Sequence, residues 1–151
     1  MDIVISHMAA LQVIRQPYFT RRLAAAELCP TDIPDRLPSA SELSEARESL
    51  GQLSGIEGEL GLLVSSRRGT HACDGARPHV LSGGLPAGAL VQVAPGVRCV
   101  SPLLLPLLMA PKLSEEEMLM LLSELMGLFS VANGAKKGLV QRDRPMASPE
   151  A

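Results

Sequence analysis

The chain has 151 residues, 46% hydrophobic but only 2% aromatic, with no tryptophan and a formal net charge of −2. That length suits one domain with a core of its own. Tyr18, Phe19 and Phe129 are the aromatic residues, which argues against nucleic-acid binding by base stacking, and the slightly acidic balance leaves no global basic footprint.

Ile3, Val4 and Ile5 lead into a helix-prone run, HMAALQVIR, with Ser6 in the N-cap place and Pro17 beyond its end. A second short helix is predicted at YFTRRLAAAELC, closed by Pro30, and it carries Arg21 and Arg22. CPTDIPDRLP, from Cys29 to Pro38, is an irregular loop. SASELSEARESLGQL then reads as a helix capped by Ser39 or Ser41. Leu43, Ala46 and Leu50 share one face, and Gly51 and Gly55 close it. Residues 1–55 therefore read as a helical N-terminal subregion.

The middle changes character. LGLLVSS, PHVLSG, ALVQVAPG and VRCVS are short apolar runs separated by Gly and Pro turn signals, and they predict a small, mostly antiparallel sheet. Arg67 and Arg68 fall between the first two. Two apolar helices follow. Ser101 and Pro102 suit the N-cap and first helical position, while Pro106 should kink that helix or keep it short. SEEE is a capping box in which Ser114 caps and Glu117 reaches back. In the helix 115–128, Met118, Leu121, Leu122, Leu125 and Phe129 form one stripe; Leu119, Met120, Met126 and Leu128 cover much of the rest. A helix this apolar is expected to be buried on most sides. The fold class is α+β: N-terminal helices, a small mostly antiparallel sheet, then two apolar C-terminal helices. Residues 56–132 form the sheet-and-helix unit and 133–151 a polar tail or linker.

No reaction signature is visible. Of the histidines His7, His71 and His79, His71 with Cys73 and Cys99 lacks the paired ligand spacing of a structural zinc site, so neither a metal nor a cofactor is expected. Cys29, Cys73 and Cys99 are an odd count without CxxC, which fits free thiols in a reducing cytoplasm. The acidic start is not that of a secretory signal, and proline and glycine break every apolar run too often for a spanning helix. There is no Walker A motif and no (D/E)xK tripeptide of the Mg²⁺-dependent nucleases. With no complete catalytic motif, a non-catalytic role is the expectation.

The succession ISHMAAL, LGLLVSSRR, HVLSGGLPAGALVQVAPGVRCVSP, MAPKLSEEEMLMLLSELMGLFSV and RDRPMASPEA resembles a bacterial group related to the abortive-infection antitoxins of the AbiEi type. Ser6 and His7 match the start of that pattern, and His79, Leu85, Pro86 and Gly88 its strand region. Ser101 and Pro102 match a helix opening, Glu124, Leu125 and Gly127 a later helix, and Arg144 and Pro145 the last segment. Leu103, Met126 and Phe129 depart from the Glu, Cys and Tyr usual there. Many members continue into a lobe resembling PD-(D/E)XK endonucleases. The resemblance implies a regulatory or sensor module of a bacterial defence or toxin–antitoxin-type protein, binding DNA or a protein partner. Two alternatives stand beside it: the truncated front end of a restriction-endonuclease-like nuclease, and an interaction module docking through the helix 115–128. Arg21, Arg22, Arg67 and Arg68 are the expected DNA contacts. Met118, Leu121, Leu122, Leu125 and Phe129 are the expected partner-facing residues, toward either a missing C-terminal lobe or a second copy of the chain.

Overall fold

Three consecutive β-branched residues, Ile3, Val4 and Ile5, form the middle strand of the sheet. This is seen in a computed structural model, which describes residues 1–51, 58–70, 73–127, 129–131, 139–141 and 145–147. The elements run β1 (Ile3–Ile5), α1 (His7–Ile14), α2 (Phe19–Leu23), α3 (Ala40–Gly51), β2 (Leu60–Val64), β3 (Ala76–Val80), β4 (Leu90–Ala94) and β5 (Val97–Val100). There follow α4 (Leu104–Met109), α5 (Glu115–Met126), β6 (Phe129–Val131) and β7 (Leu139–Gln141), with single 3₁₀ turns at Ala26–Leu28, Arg67–Gly69 and Ala110–Lys112.

The architecture is α+β, as expected. The main sheet has the order β3-β2-β1-β5-β4 and is mixed: β1–β2 and β4–β5 are antiparallel, β1–β5 and β2–β3 parallel. β6 and β7 form a separate antiparallel pair. β1, β2 and β5 are buried along their whole length, which is why they read as apolar runs without alternation. The β4–β5 hairpin turns at Pro95–Gly96, where Gly96 has φ +68 and a Cβ would meet the Met1 carbonyl oxygen at 2.7 Å.

β1 corrects the reading of residues 1–55 as a helical subregion. Its register runs Ile3 to Val97 and Ile5 to Cys99, so the N-terminal residues are the centre of the same core that the later strands build. α1 packs on β2 and β5 and touches α4, α2 packs on β4, and α3 buries Leu43, Ala46 and Leu50. The expected boundary at residue 55 lies outside the described residues.

Capping follows the sequence at α3 and α5, but Ser6 makes no cap bond at α1 and Leu103, not Ser101, stands in the N-cap place of α4. Ser39, not Ser41, caps α3: its hydroxyl accepts from the Glu42 N–H and the Glu42 carboxylate accepts from the Ser39 N–H at 2.8 Å. The Ser114–Glu117 box at α5 has the same reciprocal bonds. Ser101 accepts from the Leu104 N–H. α4 therefore begins at Leu104, and Pro106 falls in its first turn, where a helix N–H has no intrahelical partner to lose. The helix stays short and passes into the Ala110–Lys112 turn.

Candidate functional site

At the end of β1 the chain does something an ordinary strand-to-helix junction does not require. Ser6 is extended, and His7 takes φ +55, in the left-handed region that side chains rarely enter. Such a backbone is worth about 1–3 kcal/mol of strain, held only where the surroundings determine it. Here they do. The His7 ring stacks on the His79 ring of β3, with centroids 3.5 Å apart and planes 14° from parallel. Its Nδ1 lies 3.0 Å from the hydroxyl of the fully buried Ser6, and the ring donates a hydrogen bond to the Leu108 carbonyl of α4.

His79 is fixed from the other side. Lys112 Nζ lies 3.2 Å from His79 Nδ1. An ammonium only donates, so Nδ1 accepts and the ring proton sits on Nε2. The close packing depends on Gly61: a Cβ there would stand 2.9 Å from the Ser6 carbonyl oxygen and 3.3 Å from His79 Nε2. Burial, with the cations Lys112 and Arg77 nearby, pulls both imidazoles from their ordinary 6.5 to about 4. Both rings are therefore neutral at pH 7. They form a flat, half-buried partition with a recess on each side. One recess, of about 390 Å³, takes in Arg67, Lys112, Leu81 and Leu108; the other, of about 300 Å³, takes in Glu59, Gly61, Arg77 and Lys112.

A second feature is apolar. α5 turns Leu121 and Leu125 into the core and leaves Leu119 and Met120 at 66% and 72% exposure, with Leu122 and Met126 also in solvent. Leu103 and Leu107 of the α4 region and Met8 of α1 are exposed as well. Between α1 and α5 runs a groove of about 670 Å³ lined largely by Met8, Leu11, Met109, Leu119 and Met120. Arg15 and Glu124 close one side of it with a two-pronged salt bridge at 2.8 and 2.9 Å.

No protein family, curated protein or solved structure matches this chain. Its chemistry is read from its own residues. Among the described residues, no cluster of three or more His, Cys, Asp or Glu side chains could hold a metal ion, and no helix is long and apolar enough to cross a membrane. Cys29, Cys73 and Cys99 are free thiols, and burial pushes the Cys29 and Cys99 thiols up.

The four arginines expected as DNA contacts lie at two edges of the sheet. Arg21 and Arg22 sit exposed on α2, which packs at the β4 edge of the sheet, whereas Arg67 and Arg68 lie in the turn that leads to β3 at the opposite edge. Only Arg67 of these four joins the histidine recess. The expected partner-facing stripe is divided too. Leu121 and Leu125 are core residues, Met118 is half-buried against the core, Leu122 is exposed, and the side chain of Phe129 lies outside the described residues. The free face of α5 is instead Leu119, Met120 and Met126. Burial of that helix on most sides, expected from its composition, does not occur.

Lys112 and Arg77 had no signal in the sequence to mark them. His7 and His79 stand in two motif blocks of the resemblance, ISH and HV, which the fold brings into stacking contact.

Proposed function

We propose that this chain is a non-catalytic regulatory module of a bacterial defence or toxin–antitoxin-type protein, resident in the cytoplasm, that holds a protein partner on its α1–α5 face. The observation that carries the reading is the exposed Met8, Leu119 and Met120, which line an apolar groove of about 670 Å³ between α1 and α5. Large apolar residues gathered on a surface mark a binding site more often than chance. A groove of this shape suits the apolar stripe of a partner helix, with the Arg15–Glu124 pair at its rim to set direction. The resemblance to abortive-infection antitoxins supplies the biological setting, and three thiols without a disulfide suit a reducing compartment.

The test is co-expression with the products of the adjacent genes, followed by size-exclusion chromatography. A complex is expected, and Leu119→Glu with Met120→Glu should abolish it while leaving the thermal midpoint unchanged, because both side chains are already in water. Absence of any complex, or a complex indifferent to the two substitutions, would rule the reading out. Binding to DNA is the second reading, favoured by Arg67 standing beside Lys112 at the rim of the histidine recess.

A further inference from the structure

We infer that the recess of about 390 Å³ beside the stacked His7–His79 pair is a binding site for a phosphoryl group, held by Arg67 and Lys112. This stands apart from the partner-docking reading, since the recess and the apolar groove are built from different residues.

Three observations carry it. The first is charge. Arg67 and Lys112 line the recess with no carboxylate among its lining residues, in a chain whose net charge is −2. Among the described residues neither cation has a salt-bridge partner. Two unpaired cations match a phosphate monoester dianion better than a carboxylate, which brings one negative charge.

The second is preorganisation. Lys112 gives one of its three protons to His79 Nδ1, which fixes the ammonium and leaves two donors for a ligand. Arg67 belongs to a turn closed by Thr70, whose hydroxyl and N–H both donate to the Arg67 carbonyl, at 2.7 and 3.3 Å. The Lys112 ammonium and the Arg67 backbone are thus held before any ligand arrives, so less ordering remains for binding to offset.

The third is the floor. Two stacked neutral imidazoles, backed by Leu63, Leu81 and Leu108, exclude water from one side of the recess. Interactions with an anion are stronger there than on an open surface. The strained backbone at His7 is explained by the same arrangement, because it places the ring that holds His79 flat.

The experiment is NMR titration of the imidazole nitrogens of the intact chain with inorganic phosphate, repeated with a short DNA duplex. Saturable shifts of the His79 signals are expected, with the titration midpoints of both rings moving up as the anion offsets the cations Lys112 and Arg77 that face them. Arg67→Gln and Lys112→Gln should each weaken binding by about tenfold or more. Both side chains are exposed, so an unchanged thermal midpoint checks that the fold survives. If phosphate binds and the duplex does not compete, the ligand is a small phosphorylated molecule. If the duplex displaces phosphate and needs the same two cations, the phosphoryl group belongs to a nucleic-acid backbone. Absence of saturable shifts with either probe, or affinities unaffected by both substitutions, would overturn the inference.

Discussion

His7 shows how much a single residue can commit. Its left-handed backbone is held against strain by a neighbouring hydroxyl, a distant carbonyl and a second imidazole. Burial and the nearby cations Lys112 and Arg77 favour the neutral ring, against the carbonyl contact, which favours the charged one. This predicts a specific pH dependence. Both rings titrate at about 4 in the folded chain against an ordinary 6.5, so on acidification the unfolded chain takes up protons first. The stability they supply is complete above pH 6.5 and is lost as pH falls to about 4, by at most about 1.4 kcal/mol per pH unit for each ring. Lys112, Arg77, Arg67 and Glu59, with the Ser6 hydroxyl and the Leu108 carbonyl, are the charged and polar groups that face the pair. Glu42, held at about 2 by its hydrogen bonds to Arg36 and to the Ser39 N–H, loses its share only at lower pH, so the two windows are distinguishable. Urea midpoints measured from pH 7.5 to 4 should fall steeply in the natural chain and less steeply in His79→Phe, which stacks but does not titrate; equal slopes would refute the assignment. None of this pair was legible as a site in the sequence. His7 and His79 share no local spacing, and what joins them is the register of β2 on β3 together with the missing Cβ of Gly61.

Element by element, the sequence was most legible where the interaction is local. Both S-x-x-E boxes form as written, because each needs only four consecutive residues. Ser114→Ala should therefore cost about 1 kcal/mol, measured by urea unfolding, with faster amide exchange confined to the first turn of α5. A loss of several kcal/mol would mean that Ser114 supports more than its helix. The inner face of α5 was not legible. Periodicity picks out a stripe that holds Met118, Leu121 and Leu125, but it does not tell whether that stripe meets the core or a partner. Arg15, 109 residues from Glu124, pairs with it on the side where Leu121 and Leu125 turn inward, while Leu119 and Met120 stay out.

Across the whole molecule, the α+β class and strands β2 to β5 were legible from composition and turn signals, whereas β6 and β7 were not expected. β1 was not, because three residues are too few to display a period and its partners are distant in sequence. The same long reach appears at Arg98, only 4% exposed in β5. Its guanidinium donates twice to Asp2, at 2.7 and 2.9 Å, and also to the Pro30 carbonyl at 2.7 Å and to Asp32, joining the first residues and the proline loop to the sheet. Arg98→Met should cost about 2 kcal/mol, less than a fully buried pair, because Asp2 and Asp32 regain water. Urea unfolding measures the cost, and earlier proteolysis within residues 29–38 should accompany it; an unchanged loop would show that Arg98 does not fasten it. The position of β1 also governs how the protein comes into being. Ile3–Ile5 is synthesised long before Leu60–Val64 and Val97–Val100, the two strands that must flank it. Until Leu60–Val64 has been made the nascent chain carries this strand unpaired on both edges, and until Val97–Val100 has been made one edge still lacks its partner. Folding must wait for the most distant pairing, and a chaperone that shields the first few residues has its greatest effect during that interval.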